Sequence, residues 1–191
     1  MGIKIKDLTV SFKNNVTAVN HADLEIPKGI FGLLGENGAG KTTLMRVLTT
    51  VLPPASGTVT IDGILYSKGN FEKIRKKIGY LPQEIELYPS LSVQECLEYM
   101  GDLSGIPKQI YKERIPYYLE KTGLAKQRKK KMKQLSGGMK RRVGLIQALL
   151  HEPEFLIVDE PTTGLDPEER IRTETCWLNF PKTVPFCFRP M

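Results

Sequence analysis

The sequence predicts an α/β fold: a parallel sheet with helices that follows an antiparallel pair of strands and is interrupted once by a helical insertion. Alternating apolar residues open the chain, and a glycine-rich segment separates an apolar run from a helical pattern. A run of four apolar residues returns at Phe155, after a long helical stretch. Strands on both sides of a helical stretch indicate one domain, and 191 residues suffice for it.

The strands are predicted from short apolar or alternating runs bounded by turn residues. They cover residues 3–12, 22–26, 29–34, 57–61, 78–81 and 155–158. The first two predict an antiparallel lead-in to the sheet. Asp62-Gly63 indicates a tight turn after the fourth strand.

Helical spacing is predicted over residues 41–50 and through most of residues 92–150, the expected insertion. Ser92 and Glu95 have the spacing of a capping box, so a helix should begin there. Glycine and proline are expected to divide the insertion into segments at Gly101, Pro107, Pro116 and Gly123.

Composition excludes several classes of protein. Hydrophobic residues make up 40% and charged residues 26%, which fits neither a disordered chain nor a fibrous repeat. The apolar stretches are far shorter than the roughly 20 residues of a membrane span. The first residues lack the apolar core of a signal peptide, so a cytosolic location is expected. Three scattered cysteines are too few for a disulfide framework or a four-ligand zinc site.

The net charge of +7 arises largely from a basic run at residues 126–133, which contains six lysines and arginines. Such an excess favours nucleic acid, polyphosphate or an anionic membrane surface, and charge alone does not choose among them. No aromatic residues interleave with the run, as base stacking would require. A solvated surface is the favoured interpretation, and no nucleic-acid partner is expected.

A phosphate loop is predicted where two glycines four residues apart precede a lysine and a hydroxyl residue, between a strand and a helix. Backbone N–H groups of such a loop surround phosphate oxygens, and the helix N-terminus adds positive potential. Lys41 is expected on the β- and γ-phosphates and Thr42 on magnesium. The expected ATP-binding residues are Gly35, Glu36, Asn37, Gly38, Ala39, Gly40, Lys41, Thr42 and Thr43.

Two acids end the apolar run at residues 155–158, which puts them at the carboxyl end of a buried strand. Asp159 is expected to hold magnesium, and Glu160 to polarise the attacking water as general base. A second anion-binding cap is predicted at Ser136, Gly137 and Gly138, before another helical pattern.

Together, GENGAGKTT, LPQ at residues 81–83, LSGGM, FLIVDEP and Gly164-Leu165-Asp166 resemble the ATP-binding subunit of an ABC transporter, in order over about residues 3–172. The resemblance implies a phosphate-loop NTPase (RecA-like) core that hydrolyses MgATP. It also implies a head-to-tail dimer in which ATP lies between one subunit's phosphate loop and the other's LSGGM segment. Membrane-spanning subunits would be the further partners, and the protein would lie at the inner face of the cell membrane.

The same resemblance assigns three further roles. Phe12 would stack on adenine, Gln83 would contact magnesium and the attacking water, and Asp166 would couple the two ATP sites. A soluble ABC-type ATPase acting on ribosomes or nucleic acid is the alternative, but such proteins normally carry two cassettes or a long coiled coil. An ATP-binding protein defective in hydrolysis is a second alternative.

The resemblance stops at residue 172. Residues 173–191 contain three prolines and no helical or strand periodicity, and neither His21 nor His151 can fill the role of the family's switch histidine. Reading this tail in a shifted frame permits RNLLAELSKDRTVLLSTH, a helix, turn and strand ending in histidine. Residues 173–191 are therefore predicted to be an aberrant, frame-shifted tail that cannot fill the central strand position well, since Pro185 interrupts its apolar run.

Overall fold

The computed structural model describes residues 2–14, 16–27, 31–36, 38–159, 167–168, 170–171 and 175, and the backbone of residues 184–188. The strands are β1 (Gly2–Ser11), β2 (Thr17–Pro27), β3 (Ser56–Ile61), β4 (Ile64–Leu65), β5 (Ile78–Leu81), β6 (Phe155–Asp159) and β7 (Val184–Phe188). The helices are α1 (Lys41–Leu48), α2 (Phe71–Lys77), α3 (Val93–Leu103), α4 (Lys108–Lys121) and α5 (Gly137–Leu149).

The predicted antiparallel lead-in is confirmed. Strands β2, β1, β3 and β4 form one sheet in that order, and every neighbouring pair is antiparallel. Alternate apolar side chains of β1 are buried, as a strand with one face on the core requires. Asp62 and Gly63 both have positive φ, 52° and 80°, so the predicted tight turn joins β3 to β4.

The second sheet is parallel, with the order β5, β6, β7. All five residues of β6 are buried, because a parallel strand is covered on both faces. Leu81 lies opposite Val158, so β5 and β6 end at the same edge of the sheet. Parallel pairing therefore brings the residues that follow these two strands to one place.

The tail departs from the prediction. Val184–Phe188 forms β7, which pairs with β6 along its whole length, so the expectation that this segment lacks strand structure and leaves the position open is wrong. Pro185 is tolerated because β7 is an edge strand among the described residues. Only alternate residues of a parallel strand donate to a given neighbour, so one missing N–H does not prevent pairing.

Of the strand predicted over residues 29–34, the structure describes residues 31–34; Phe31 takes part in a β-bridge, but residues 32–34 have no assigned strand. A strand exists only when a neighbour accepts and donates its backbone hydrogen bonds. Among the described strands, none pairs with residues 32–34.

The helical insertion is present. The predicted divisions at Pro107, the N-cap of α4, and at Gly123, just after α4, are confirmed, and two others are wrong. The Ser92 and Glu95 capping box starts α3. Gly101 and Pro116, however, lie inside α3 and α4 and do not end them. Gly101 serves close helix packing, because a Cβ there would lie 2.7 Å from the Tyr111 ring. In the described ranges no helix is long and apolar enough to cross a membrane.

Two clusters of buried apolar side chains form the core. One joins α1 to the antiparallel sheet and includes Phe155 and Ile157 of β6. The other joins α3, α4 and α5 and includes Leu156 and Val158 of the same strand. The sheet edge that carries Asp159 therefore lies where the two clusters meet.

Candidate nucleotide site

The glycine-rich loop folds back before α1. Gly38 and Gly40 have φ of 85° and 83°, a left-handed conformation that glycine adopts without strain. Ala39 N–H donates to the Glu36 carbonyl at 3.2 Å, which closes the turn. Asn37 lies outside the described residues. The described loop has the backbone form that turns N–H groups toward one point.

Gly40 is the N-cap of α1 and also lies against β2. A Cβ at Gly40 would lie 2.1 Å from the carbonyl oxygen of Ala18. Glycine is thus required here twice, by the positive φ and by the close approach of the two backbones. This contact fixes the start of α1 on the antiparallel sheet.

Lys41 directs its ammonium group back over the loop. Its Nζ donates to the carbonyl oxygens of Gly35 at 2.6 Å and Glu36 at 2.7 Å. Thr42 and Thr43 follow in the first turn of α1, where main-chain N–H groups lack helical partners. A cation, hydroxyls and unpaired N–H groups together make a site for a polyphosphate.

Asp159 ends β6 and is 2% exposed. Burial and then the negative charge of Asp159 raise the pKa of Tyr80, the neighbouring side chain on β5, while Arg46 and Arg141 lower it. Glu160, the predicted general base, lies outside the described residues, as do residues 164–166. Of the two predicted acids, the structure therefore describes only Asp159, which lies at the edge where the parallel strands end.

Gln83 follows β5 by two residues and reaches the same edge. Thr42, Gln83 and Asp159 supply hydroxyl, amide and carboxylate oxygens, the hard donors that magnesium prefers. The chemistry of this donor set fits the predicted magnesium site.

Arg141 is the site residue that the sequence reasoning missed. This α5 residue is 6% exposed, and its guanidinium donates to the Pro82 carbonyl at 2.8 Å, to the Gln83 carbonyl and to the Asp159 carbonyl at 2.6 Å. The only signal in the sequence is a cation among the apolar residues of a buried helix face, which indicates a paired charge but not its partners.

The second predicted cap is formed at the start of α5, which begins at Gly137. Ser136 Oγ accepts a hydrogen bond from Met139 N–H at 3.2 Å. Ser136 and Gly137 are exposed, whereas Gly138 is buried. Helix α5 packs on α3, α4 and β5, but α1 packs on β2 and β6, so the two caps rest on different parts of the core.

Phe12 follows β1 and is 40% exposed. Its N–H donates to the Val16 carbonyl at 2.9 Å, which holds it in the turn before β2. An exposed ring is available for stacking, and the role on adenine stays a prediction.

The sequence profile described as ABC transporter matches residues 19–163, which includes both the loop and Asp159. This chain belongs to the ABC transporter family. It is 43% identical over 155 residues to the linearmycin resistance ATP-binding protein LnrL of Bacillus subtilis, an alignment of 81% of this chain and 50% of LnrL. It is 40% identical over 157 residues to the Nod factor export ATP-binding protein I of Cupriavidus pinatubonensis, covering 82% of this chain and 48% of that protein. The chain spans about half the length of the curated relatives it matches.

Solved structures confirm the fold class for this family member. The structure of cbiO1 from Clostridium perfringens, part of the ABC transporter complex cbiONQ, has a TM-score of 0.86 at 27% identity and covers 98% of this chain and 77% of that one. The dimeric ATP-binding cassette MJ0796, in a post-hydrolysis state bound to ADP and Pi, has a TM-score of 0.85 at 26% identity, covering 98% and 87%. The phosphate-loop NTPase core with antiparallel lead-in and helical insertion is therefore the fold of this ABC family member.

Proposed function

We propose that this protein binds MgATP and hydrolyses it as the ATP-binding subunit of an ABC transporter. The observation that carries the proposal is the glycine-rich loop, whose lysine ammonium lies over the loop carbonyls at the start of α1, a helix that packs on β6, the strand that ends in Asp159. A positive loop and a buried acid at one sheet edge suit a charged phosphate chain and its metal.

In the proposed reaction Lys41 moves from the loop carbonyls to the β- and γ-phosphates and offsets their charge. Magnesium, held by Thr42, Gln83 and Asp159, would neutralise charge that develops on the phosphates. Gln83 orients the attacking water, and Glu160 accepts its proton as general base. Phe12 stacks on adenine from the turn between β1 and β2.

We also propose a head-to-tail dimer in which Ser136, Gly137 and Gly138 of one subunit bind the γ-phosphate held by the loop of the other. Ser136 and Gly137 are exposed, and a Cβ at Gly137 would meet nothing within 4 Å. An open, exposed helix start leaves room for a phosphate of a second molecule. Asp166 would couple the two sites.

Replacing Glu160 with glutamine should leave ATP affinity within about threefold but lower the hydrolysis rate by about a hundredfold or more, because glutamine cannot accept the proton. The dimer should then persist with ATP, since the nucleotide between the subunits is not consumed. Phosphate release and size-exclusion chromatography measure both effects. Glu72→Gln, an exposed change on α2, is the control. If Glu72→Gln turns over ATP at the wild-type rate and Glu160→Gln is equally active, the assignment of Glu160 is contradicted.

One observation favours the hydrolysis-defective alternative. Neither described histidine lies at the nucleotide site: His21 Nδ1 pairs with Asp7 at 2.6 Å in the antiparallel sheet, and His151 Nε2 lies 3.1 Å from the Ile78 carbonyl oxygen. If the wild-type chain binds MgATP and turns it over no faster than Glu160→Gln, this alternative replaces the proposed hydrolysis.

Membrane-spanning transporter subunits are the proposed partners, at the inner face of the cell membrane. A groove of about 710 Å³ is lined mainly by apolar side chains, among them Leu87, Met100 and Met132, together with the charged Glu86, Lys133 and Lys140. The exposed rings of Tyr88 and Tyr99 stack edge to face at 5.0 Å. Exposed aromatic and apolar groups around a groove suit a protein partner.

Binding experiments on the basic run at residues 126–133 distinguish a membrane-protein partner from a nucleic-acid partner. Its lysines and arginines are exposed, and its backbone is fixed by Val93 N–H to the Lys130 carbonyl at 3.0 Å and Met132 N–H to the Leu91 carbonyl at 2.9 Å. We expect no saturable RNA or DNA binding at physiological salt in fluorescence anisotropy, and co-purification with a membrane protein. Tight nucleic-acid binding with a steep salt dependence would instead favour the soluble ATPase alternative.

We propose a division of the chain at residue 172, with the cassette in residues 1–172, its helical subdomain in about residues 92–150, and a shifted frame in residues 173–191. The support is the permitted translation, which supplies a helix, a strand and a histidine where the family has them. The nucleotide sequence across codons 165–191 tests the frame. A gene in which no neighbouring frame continues the cassette would contradict it.

A further inference from the structure

Arg141 joins two segments that the proposed chemistry needs in register. Its guanidinium donates to two carbonyls of the segment after β5, at Pro82 and Gln83, and to the carbonyl of Asp159 at the end of β6. These are the backbones of two predicted magnesium ligands. One side chain therefore contacts both ligand-bearing segments from the same helix.

The hydrogen bonds of Arg141 can hold the two segments at a fixed separation. A guanidinium is a rigid planar fork, so hydrogen bonds from its two terminal nitrogens fix the separation of the groups they bind. Arg141 is 6% exposed, and a buried charge of this kind is tolerated only when its donors are satisfied. Losing it would leave carbonyls of both segments without this donor and free to move apart.

The next residue provides a natural comparison. Arg142 is on the same helix and equally buried at 6%, but its Nη1 donates to the Thr122 carbonyl at 3.0 Å, at the end of α4. Arg142 thus ties α5 to the end of α4 within the helical insertion, whereas Arg141 ties α5 to the nucleotide site. Arg142 is therefore the matched comparison for Arg141: an equally buried arginine on the same helix whose described hydrogen bond goes to α4.

We propose that Arg141 is a positioning residue that holds Gln83 and Asp159 in the geometry required for hydrolysis. The inference rests on the proposed function, because Gln83 and Asp159 matter only if MgATP is the substrate. Arg141 itself does not touch the nucleotide in this proposal. It acts through the backbone of the residues that do.

Replacing Arg141 with methionine should lower the rate constant of ATP hydrolysis by about tenfold to a hundredfold, since small misplacements of reacting groups cost this much. The dissociation constant for ATP should change by less than about threefold, because Lys41 and the loop are untouched. Both Arg141→Met and Arg142→Met should lower the unfolding midpoint by similar amounts. Only Arg141→Met should show this selective loss of hydrolysis rate. Equal loss of rate in the two variants would overturn the proposal.

A double-mutant cycle with Gln83→Ala tests whether Arg141 acts through Gln83. If it does, Arg141→Met should lower the rate by a smaller factor in the Gln83→Ala background than in the wild type, because only the part exerted through Asp159 remains. Full additivity of the two losses would contradict the inference.

Hydrogen exchange in the nucleotide-free chain gives a readout that needs no activity. Peptides that cover residues 82–87 should exchange at least about tenfold faster in Arg141→Met but not in Arg142→Met, because only the first loosens that segment. If the wild-type chain shows no turnover, the proposed function is contradicted. The exchange test then decides by itself whether Arg141 holds the segment after β5 in place. Unchanged exchange in Arg141→Met would overturn the proposal.

Discussion

Replacing Lys41 with alanine should weaken MgATP binding by about a hundredfold, the equivalent of losing one or two charge-assisted hydrogen bonds of about 1.5–3 kcal/mol each. In the free protein the ammonium donates to the carbonyls of Gly35 and Glu36, so it is already directed over the loop. The loss of affinity reflects a missing cation in a site whose remaining groups are intact. Isothermal titration calorimetry with MgATP measures it.

The control for this experiment is Lys76→Ala. Lys76 pairs with Glu72 at 2.7 Å on the exposed face of α2. Lys76→Ala removes one positive charge from the protein, as Lys41→Ala does. We expect its ATP affinity to match the wild type within about twofold, because exposed pairs contribute little. Equal affinity in Lys41→Ala and the wild type would remove the basis for the phosphate loop.

Replacing Gly40 with alanine should destabilise the protein by about 2–4 kcal/mol, within the range of severe single substitutions. Alanine at φ 83° is strained, and its Cβ would lie 2.1 Å from the Ala18 carbonyl oxygen. Relief requires α1 to move away from β2, so ATP affinity should fall as well. Urea denaturation monitored by circular dichroism measures the loss of stability.

Gly63→Ala is the matched control, because it separates backbone strain from the steric contact. Gly63 has φ 80°, nearly that of Gly40, but a Cβ there would meet nothing within 4 Å. We expect a cost of about 1 kcal/mol, from the left-handed conformation alone. If both substitutions cost the same, the contact between α1 and β2 does not contribute.

The sequence predicted the elements whose signals are local. The phosphate loop and its helix follow from glycine, lysine and hydroxyl spacing, and β6 follows from an uninterrupted apolar run ending in Asp159. The capping box at Ser92 is similarly local, since its partner Glu95 is three residues away. In each of these, the residues that form the contact are close together in the chain.

The predictions failed where distant residues decide the structure. Gly101 remains helical because Tyr111 of another helix packs on it. Likewise, β7 forms because β6 offers a ladder, although Pro185 argues against a strand when the tail is considered alone. Arg141 was missed because its acceptors lie 18 to 59 residues away, and no spacing rule reports such a pairing.

The two faces of β6 have a consequence for how the molecule unfolds. Phe155 and Ile157 belong to the cluster around α1, whereas Leu156 and Val158 belong to the cluster around α5. Because β6 contributes side chains to both clusters, neither cluster can unfold and free β6 without exposing the apolar side chains of the other. Denaturation should therefore be cooperative across the sheet and the helical insertion, with a single transition, even though the apolar core is divided in two.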